Sequence, residues 1–145
     1  MSMPTRLSEQ LFVSPQVMPT DLERLKALGF KTLVNNRPDG EQSGQPTSRQ
    51  IGDAACAAGL GYVHVPISTK GFGAGDIEAF GEALTSSDGP VLAFCRSGMR
   101  SAMLWALSQA GRMEAHHILA ATAAAGFNLA NLLPHLTTTP GAEAV

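Results

Sequence analysis

Seven consecutive residues, Cys95-Arg96-Ser97-Gly98-Met99-Arg100-Ser101, place one thiol, two guanidinium groups and two hydroxyls around a glycine. An apolar run over residues 91–94 leads into them, and residues 101–110, with Met103, Leu104, Trp105 and Leu107, lead away toward Gly111. An unbroken apolar run reads as a strand buried on both faces, and the segment that follows as a helix stopped by glycine. The loop between them therefore lies at a helix N-terminus, where backbone N–H groups lack intrahelical partners and the helix dipole adds positive charge. Anions bind in such places. A cysteine there is expected to ionise well below the ordinary thiol value of about 8.5, which makes Cys95 a candidate nucleophile. Arg100 can return over the loop and offer a planar fork of donors to a tetrahedral anion, a geometry lysine lacks. The backbone of Arg96, Ser97, Gly98 and Met99 forms the cradle, with Gly98 giving it conformational freedom, and Ser101 can donate its hydroxyl hydrogen to the sulfur. The bland alternative, a small buried hydrophobe at a strand end, accounts for the cysteine but not for its neighbours.

Other elements must position this loop. Residues 11–14 read as a first strand at a sheet edge, closed by Pro15. Thr20-Asp21-Leu22-Glu23 has capping-box spacing ahead of a helix with Leu22, Leu25 and Leu28 on one face, stopped by Gly29. A strand over residues 32–34 leaves through the turn-forming cluster Asn35-Asn36-Arg37-Pro38-Asp39-Gly40. Thr47-Ser48-Arg49-Gln50 repeats the capping-box spacing before a helix faced by Ile51, Ala54, Ala55 and Ala58, and Cys56 within it is expected in the core. A strand over residues 62–67 precedes a glycine-rich loop with Lys70 and Phe72, and a helix begins at Asp76 with Ile77, Phe80 and Leu84 inward. After Gly111 come an alanine-rich helix over residues 114–125 and a short one capped by Asn128 and ended by Pro134. The alternation predicts an α/β fold with a central, largely parallel sheet of four to five strands. In such sheets ligands lie beyond the carboxyl ends of the strands, and polar loops follow Val34, Ile67 and Phe94.

The cysteine loop resembles that of the cysteine-dependent phosphatases and, in outline, that of the rhodanese sulfurtransferases. Together with Leu11-Phe-Val-Ser-Pro-Gln16, Thr32-Leu-Val-Asn-Asn-Arg37-Pro38-Asp39-Gly40-Glu41 and Ala124-Ala-Gly126-Phe-Asn128-Leu, it is similar over about residues 5–136 to the bacterial β-lactamase-hydrolase-like phosphatase domain. The resemblance implies a dual-specificity-phosphatase-like fold and hydrolysis of phosphate monoesters, phosphotyrosine among them, through a thiophosphoryl-enzyme intermediate on Cys95. It also places Arg37 beside the site, as a second anion contact or as the ion pair that holds the loop. Asp76 stands where such enzymes often carry the general acid and is otherwise a helix cap; Asp39 is the competing acid and is otherwise a turn residue. Two positions depart from the phosphatase pattern. Four residues separate Cys95 from Arg100 where five are usual, and Phe94 stands in place of histidine. The shorter spacing is that of rhodaneses, so a sulfurtransferase with a persulfide on Cys95 is the second reading, and an idle anion- or phosphoprotein-binding module the third.

The chain's 145 residues suit one domain, expected over residues 1–136, with a disordered tail over residues 137–145. A net charge of −2 without runs of like charge leaves no footprint for nucleic acid or for an anionic membrane. The partner expected is a phosphorylated small molecule or phosphoprotein, or else a sulfur donor or acceptor. Two cysteines make no disulfide framework, and a working thiolate needs a reducing compartment, so a cytoplasmic location is expected. His64, His116, His117 and His135 lack ligand-like spacing, and helical neighbours such as His116 and His117 sit about 100° apart. Neither a metal nor another cofactor is expected.

Overall fold

The computed structural model describes residues 3–137. Five strands form one sheet: β1 (Thr5–Arg6), β2 (Leu11–Ser14), β3 (Thr32–Asn35), β4 (Gly61–His64) and β5 (Val91–Phe94), in the order β1-β2-β5-β3-β4. The last four are mutually parallel and β1 runs antiparallel to β2. The largely parallel α/β architecture expected from the alternating pattern is the one present. One expectation changes: β2 is not the edge, because two residues of β1 cover it. A strand that short carries no periodicity to read.

The sheet is covered on both faces. Val91 and Ala93 of β5 turn to one side, with Val13, Val34, Phe80, Leu104, Trp105 and Ile118. Leu92 and Phe94 turn to the other, with Leu22, Leu25, Leu33, Ile51 and Ala55. Successive residues of a strand face opposite ways, so a strand sandwiched between helix layers must be apolar throughout, as all four residues of β5 are. The first face carries α3 (Ala74–Ser86), α4 (Met99–Ser108), α5 (Ala115–Ala124) and the short α6 (Leu133–Leu136). The second carries α1 (Leu22–Ala27) and α2 (Ser48–Ala58).

Local signals hold in some places and shift in others. Thr47 caps α2 as its spacing predicts: Oγ1 accepts from the Gln50 N–H at 3.1 Å and Gln50 Oε1 accepts from the Thr47 N–H at 2.9 Å. Before α1 the reciprocal contact sits two residues early, with Asp21 Oδ2 accepting from the Met18 N–H. Pro134 stands in the first turn of α6 rather than at its end, where its missing N–H costs nothing. Cys56 is exposed, contrary to the expected core position. Ile51 and Ala55 are the buried residues of α2, and the residue after Ala55 falls about 100° round the helix from it. The tail expected to be disordered lies, beyond Thr137, outside the described residues.

Candidate active site

The carboxyl ends of β3, β4 and β5 converge, as the three polar loops require, and β2 adds a fourth end. At the end of β5 Cys95 is buried, and its Sγ accepts the Gly98 N–H at 3.0 Å. Gly98 has φ +94°, a left-handed conformation that side chains strain to adopt. A Cβ there would also stand 3.3 Å from Cζ of Phe127 and 3.6 Å from the backbone of Ser14, so a larger residue would strain the turn and press on the Phe127 ring. Arg96, Ser97 and Met99 are exposed at the rim, and Ser97 Oγ accepts the Met99 N–H as α4 begins.

Arg100, in the first turn of α4, reaches back across the loop to the other strand ends. Nη1 donates to Glu41 Oε2 at 2.8 Å and to the Ile67 carbonyl, and Nη2 donates to Glu41 Oε1 at 2.8 Å. A guanidinium has five N–H donors, and these contacts use three. The two that remain, one on Nη2 and the one on Nε, form the side-on edge. That edge is itself a two-pronged fork of the kind that grips two oxygens of a phosphoryl group.

Glu41 is the residue that sequence reasoning passed over. Its carboxylate spans both arginines, since Arg37 Nε also donates to Oε1 at 2.9 Å. Arg100's hydrogen bonds hold the Glu41 carboxyl below the usual carboxylate range; partial burial opposes this and Arg37 reinforces it. The same contact raises the Arg100 guanidinium further above its already high value, against desolvation and with help from the neighbouring Cys95. Arg37 is held at every nitrogen: besides Nε, Nη1 donates to Gln16 Oε1 at 2.9 Å and Nη2 to Gln42 Oε1 at 3.2 Å. Of its two expected roles the structure has the loop-holding ion pair: each guanidinium nitrogen already meets a side chain of the chain itself, and Arg37 is only 3% exposed.

Ser101 also differs from expectation. Its hydroxyl donates to Asn36 Oδ1 at 2.8 Å, so its hydrogen is not directed at sulfur. Asn36 is buried and ties four segments together. Its side chain donates to the Val65 carbonyl, its N–H to the Phe94 carbonyl, and its carbonyl accepts from the Ile67 N–H. Beside it Asn35 Oδ1 accepts the Arg37 N–H, and Asn35 Nδ2 donates to the Tyr62 hydroxyl, which lies 2.7 Å from Ser48 Oγ. Burial pushes the Tyr62 phenol up, so it stays neutral in this chain of contacts. His64 Nε2 is 2.9 Å from the Arg37 carbonyl and must be its donor there.

Both expected acids cap helices. Asp76 Oδ2 accepts the Gly73 N–H at 2.9 Å, at the start of α3, and Asp39 Oδ1 accepts the Ser48 N–H at 2.7 Å, at the start of α2. Each keeps a second carboxylate oxygen outside that contact.

A buried thiol held by a glycine amide, at a helix start and under an arginine, now has a fold around it that can be compared with known proteins. Residues 5–112 match the family model described as the phosphatase-like domain of the β-lactamase hydrolase-like protein. The chain belongs to this family. A β-lactamase hydrolase-like protein of Agrobacterium fabrum is 40% identical over 111 residues, which are 75% of this chain and 26% of that protein. One from Xylella fastidiosa is 37% identical over 125 residues, 85% of this chain and 29% of that protein. The chain thus spans between a quarter and a third of the length of these curated relatives. Among solved structures, a Neisseria meningitidis protein described as a candidate phosphatase superposes with TM-score 0.80 at 36% identity, covering 92% of this chain and 95% of that one. The Pseudomonas aeruginosa protein TpbA, in a cysteine-to-serine form with pTyr, shares the fold at TM-score 0.60 and 16% identity, over 82% of this chain and 71% of that one. The fold is therefore that of the cysteine phosphatases, and the domain is phosphatase-like. No described helix is long and apolar enough to cross a membrane.

Proposed function

We propose that this domain hydrolyses phosphate monoesters with Cys95 as nucleophile. Cys95 Sγ attacks phosphorus in line with the leaving oxygen, the P–O bond breaks, and Asp76 delivers a proton to the departing alkoxide or phenolate. Water then attacks the thiophosphoryl group, the S–P bond breaks, and inorganic phosphate leaves with Cys95 restored. The backbone of Arg96, Ser97, Gly98 and Met99 and the side-on edge of Arg100 hold the equatorial oxygens; such electrostatic positioning supplies most of the catalysis in phosphoryl transfer. Ser101 acts at one remove, fixing the loop against Asn36. The observation that carries this reading is the pair of Arg100 donors that neither Glu41 nor the Ile67 carbonyl takes, on a guanidinium that interacts with the Cys95 sulfur. The bound pTyr in the P. aeruginosa structure makes a phosphorylated phenol the first substrate class to try.

Asp76→Asn tests the proton step with little confusion from folding, because an amide oxygen can still accept the Gly73 N–H. The expected result is a loss of about 10²- to 10⁴-fold for poor leaving groups and little loss for nitrophenolate. A small uniform loss with a lowered Tm would leave Asp76 as a cap only, and Asp39→Asn would be tried next.

The spacing of Cys95 and Arg100 favours a second activity at the same thiol. Thiosulfate would pass its outer sulfur to Cys95 with release of sulfite, and cyanide would remove that sulfur as thiocyanate. A persulfide presents one terminal sulfur and fits a tighter ring than three oxygens about 1.5 Å from phosphorus, which need donors on every side. Assays of aryl phosphate and of thiosulfate with cyanide, run on one preparation, should show weak phosphatase turnover beside measurable sulfur transfer. Inserting one glycine between Gly98 and Met99 should shift the ratio toward phosphatase. An unchanged ratio in a folded protein would move the determinant to the loops around Arg37 and Asp76.

A further inference from the structure

Away from the cysteine loop, at the start of α5, Glu114, His116 and His117 form a second cluster whose chemistry the proposed reaction does not use. Neighbouring residues on a helix are expected to diverge, yet the imidazoles of His116 and His117 lie with ring centroids 4.2 Å apart and planes tilted by 50°. Glu114 is the residue before the helix, with an extended backbone (ψ 141°). Its carboxylate closes on the first imidazole, with Oε2 3.3 Å from Nδ1 of His116. One donor atom from each of the three residues lies within 4.8 Å of the other two.

We propose that Glu114, His116 and His117 form a surface site for one divalent transition-metal ion of the zinc, cobalt, nickel or copper type. Two imidazoles and a carboxylate suit these ions, whereas magnesium and calcium require mostly oxygen. Around an ion with bonds of about 2.0–2.1 Å in tetrahedral geometry, ligand atoms stand about 3.4 Å apart. The Glu114–His116 pair is already at that separation. The third donor lies at most 4.8 Å away, and all three side chains are exposed. Three protein ligands leave coordination positions open to water or to a donor from another molecule.

Titration of the full chain with Co²⁺ tests the site, because cobalt reports its ligands spectroscopically. One equivalent should bind with nitrogen and oxygen ligand-field bands and without the thiolate charge-transfer band that Cys56 or Cys95 would give. His116→Asn and His117→Asn should each weaken binding about tenfold or more, and Glu114→Gln should weaken it less. Zn²⁺ should displace the cobalt, and excess Mg²⁺ should not. Absence of saturable binding, a thiolate band at the first equivalent, or affinity unchanged in both histidine variants would overturn the proposal.

Discussion

Cys95→Ser should reduce turnover of an aryl phosphate by about a thousandfold or more while phosphate still protects the protein against heat. A serine hydroxyl is not ionised at neutral pH and is a far weaker nucleophile than a thiolate. The Gly98 N–H, the start of α4 and the Arg100 edge all survive the change, so the anion cradle should persist without its nucleophile. The assays are steady-state turnover and the rise in Tm with added phosphate. Turnover retained in Cys95→Ser would remove the thiol from the chemistry, and lost protection would mean that the sulfur itself shapes the cradle.

The second large effect concerns how Arg100 is held. In Arg100→Lys a single nitrogen must replace contacts that three N–H groups make to Glu41 and Ile67, and no side-on fork remains for the substrate. A fall of about 10²- to 10³-fold in kcat/KM is expected. Glu41→Gln leaves Arg100 in place but takes the carboxylate from two cations, one of them buried. A stability loss of about 2–4 kcal/mol follows from the strength of such contacts. Its pH dependence has a definite sign. Glu41 has a folded pKa below its unfolded one, so its contribution is full above the ordinary carboxylate value of about 4.3 and disappears as pH falls through the lower folded value. The Tm difference between wild type and Glu41→Gln should be wide at pH 7 and should persist down to the ordinary carboxylate value of about 4.3. It should close only as pH falls further, through the lowered folded value. A difference that stays constant with pH would show that the carboxylate's charge is not what holds the two arginines.

How much of this could be read beforehand depended on the range of the interaction. β5, the loop after it and α4 were legible because burial on both faces and the positions of Cys95 and Gly98 are written in adjacent residues. The Thr47–Gln50 cap was legible for the same reason. Glu41 was not, since it lies in a polar loop 59 positions from the arginine it grips. Ser101 was placed at the right end of α4, but its acceptor is Asn36, 65 positions away, and the direction of a hydroxyl follows from packing that no local pattern encodes. For Cys56, the expected burial rested on residue type among alanines rather than on position, because the face marked by Ile51, Ala54, Ala55 and Ala58 does not include it. The periodicity named the face of Ile51 and Ala55, and that face docks on Leu33 and Leu92 while Cys56 stays outside it.

The clasp on Arg100 also changes when conformational freedom is lost. A free arginine side chain carries about 2 kcal/mol of rotamer entropy. Here Glu41 and the Ile67 carbonyl fix its terminal nitrogens before any ligand arrives, so that freedom is surrendered once, as the chain folds. An anion entering the loop meets an arginine already aimed, and its binding should carry a smaller unfavourable entropy than binding to an unclasped arginine would. In the proposed reaction the loop after β3 would thus add to affinity without touching the anion, by having settled the geometry of Arg100 beforehand.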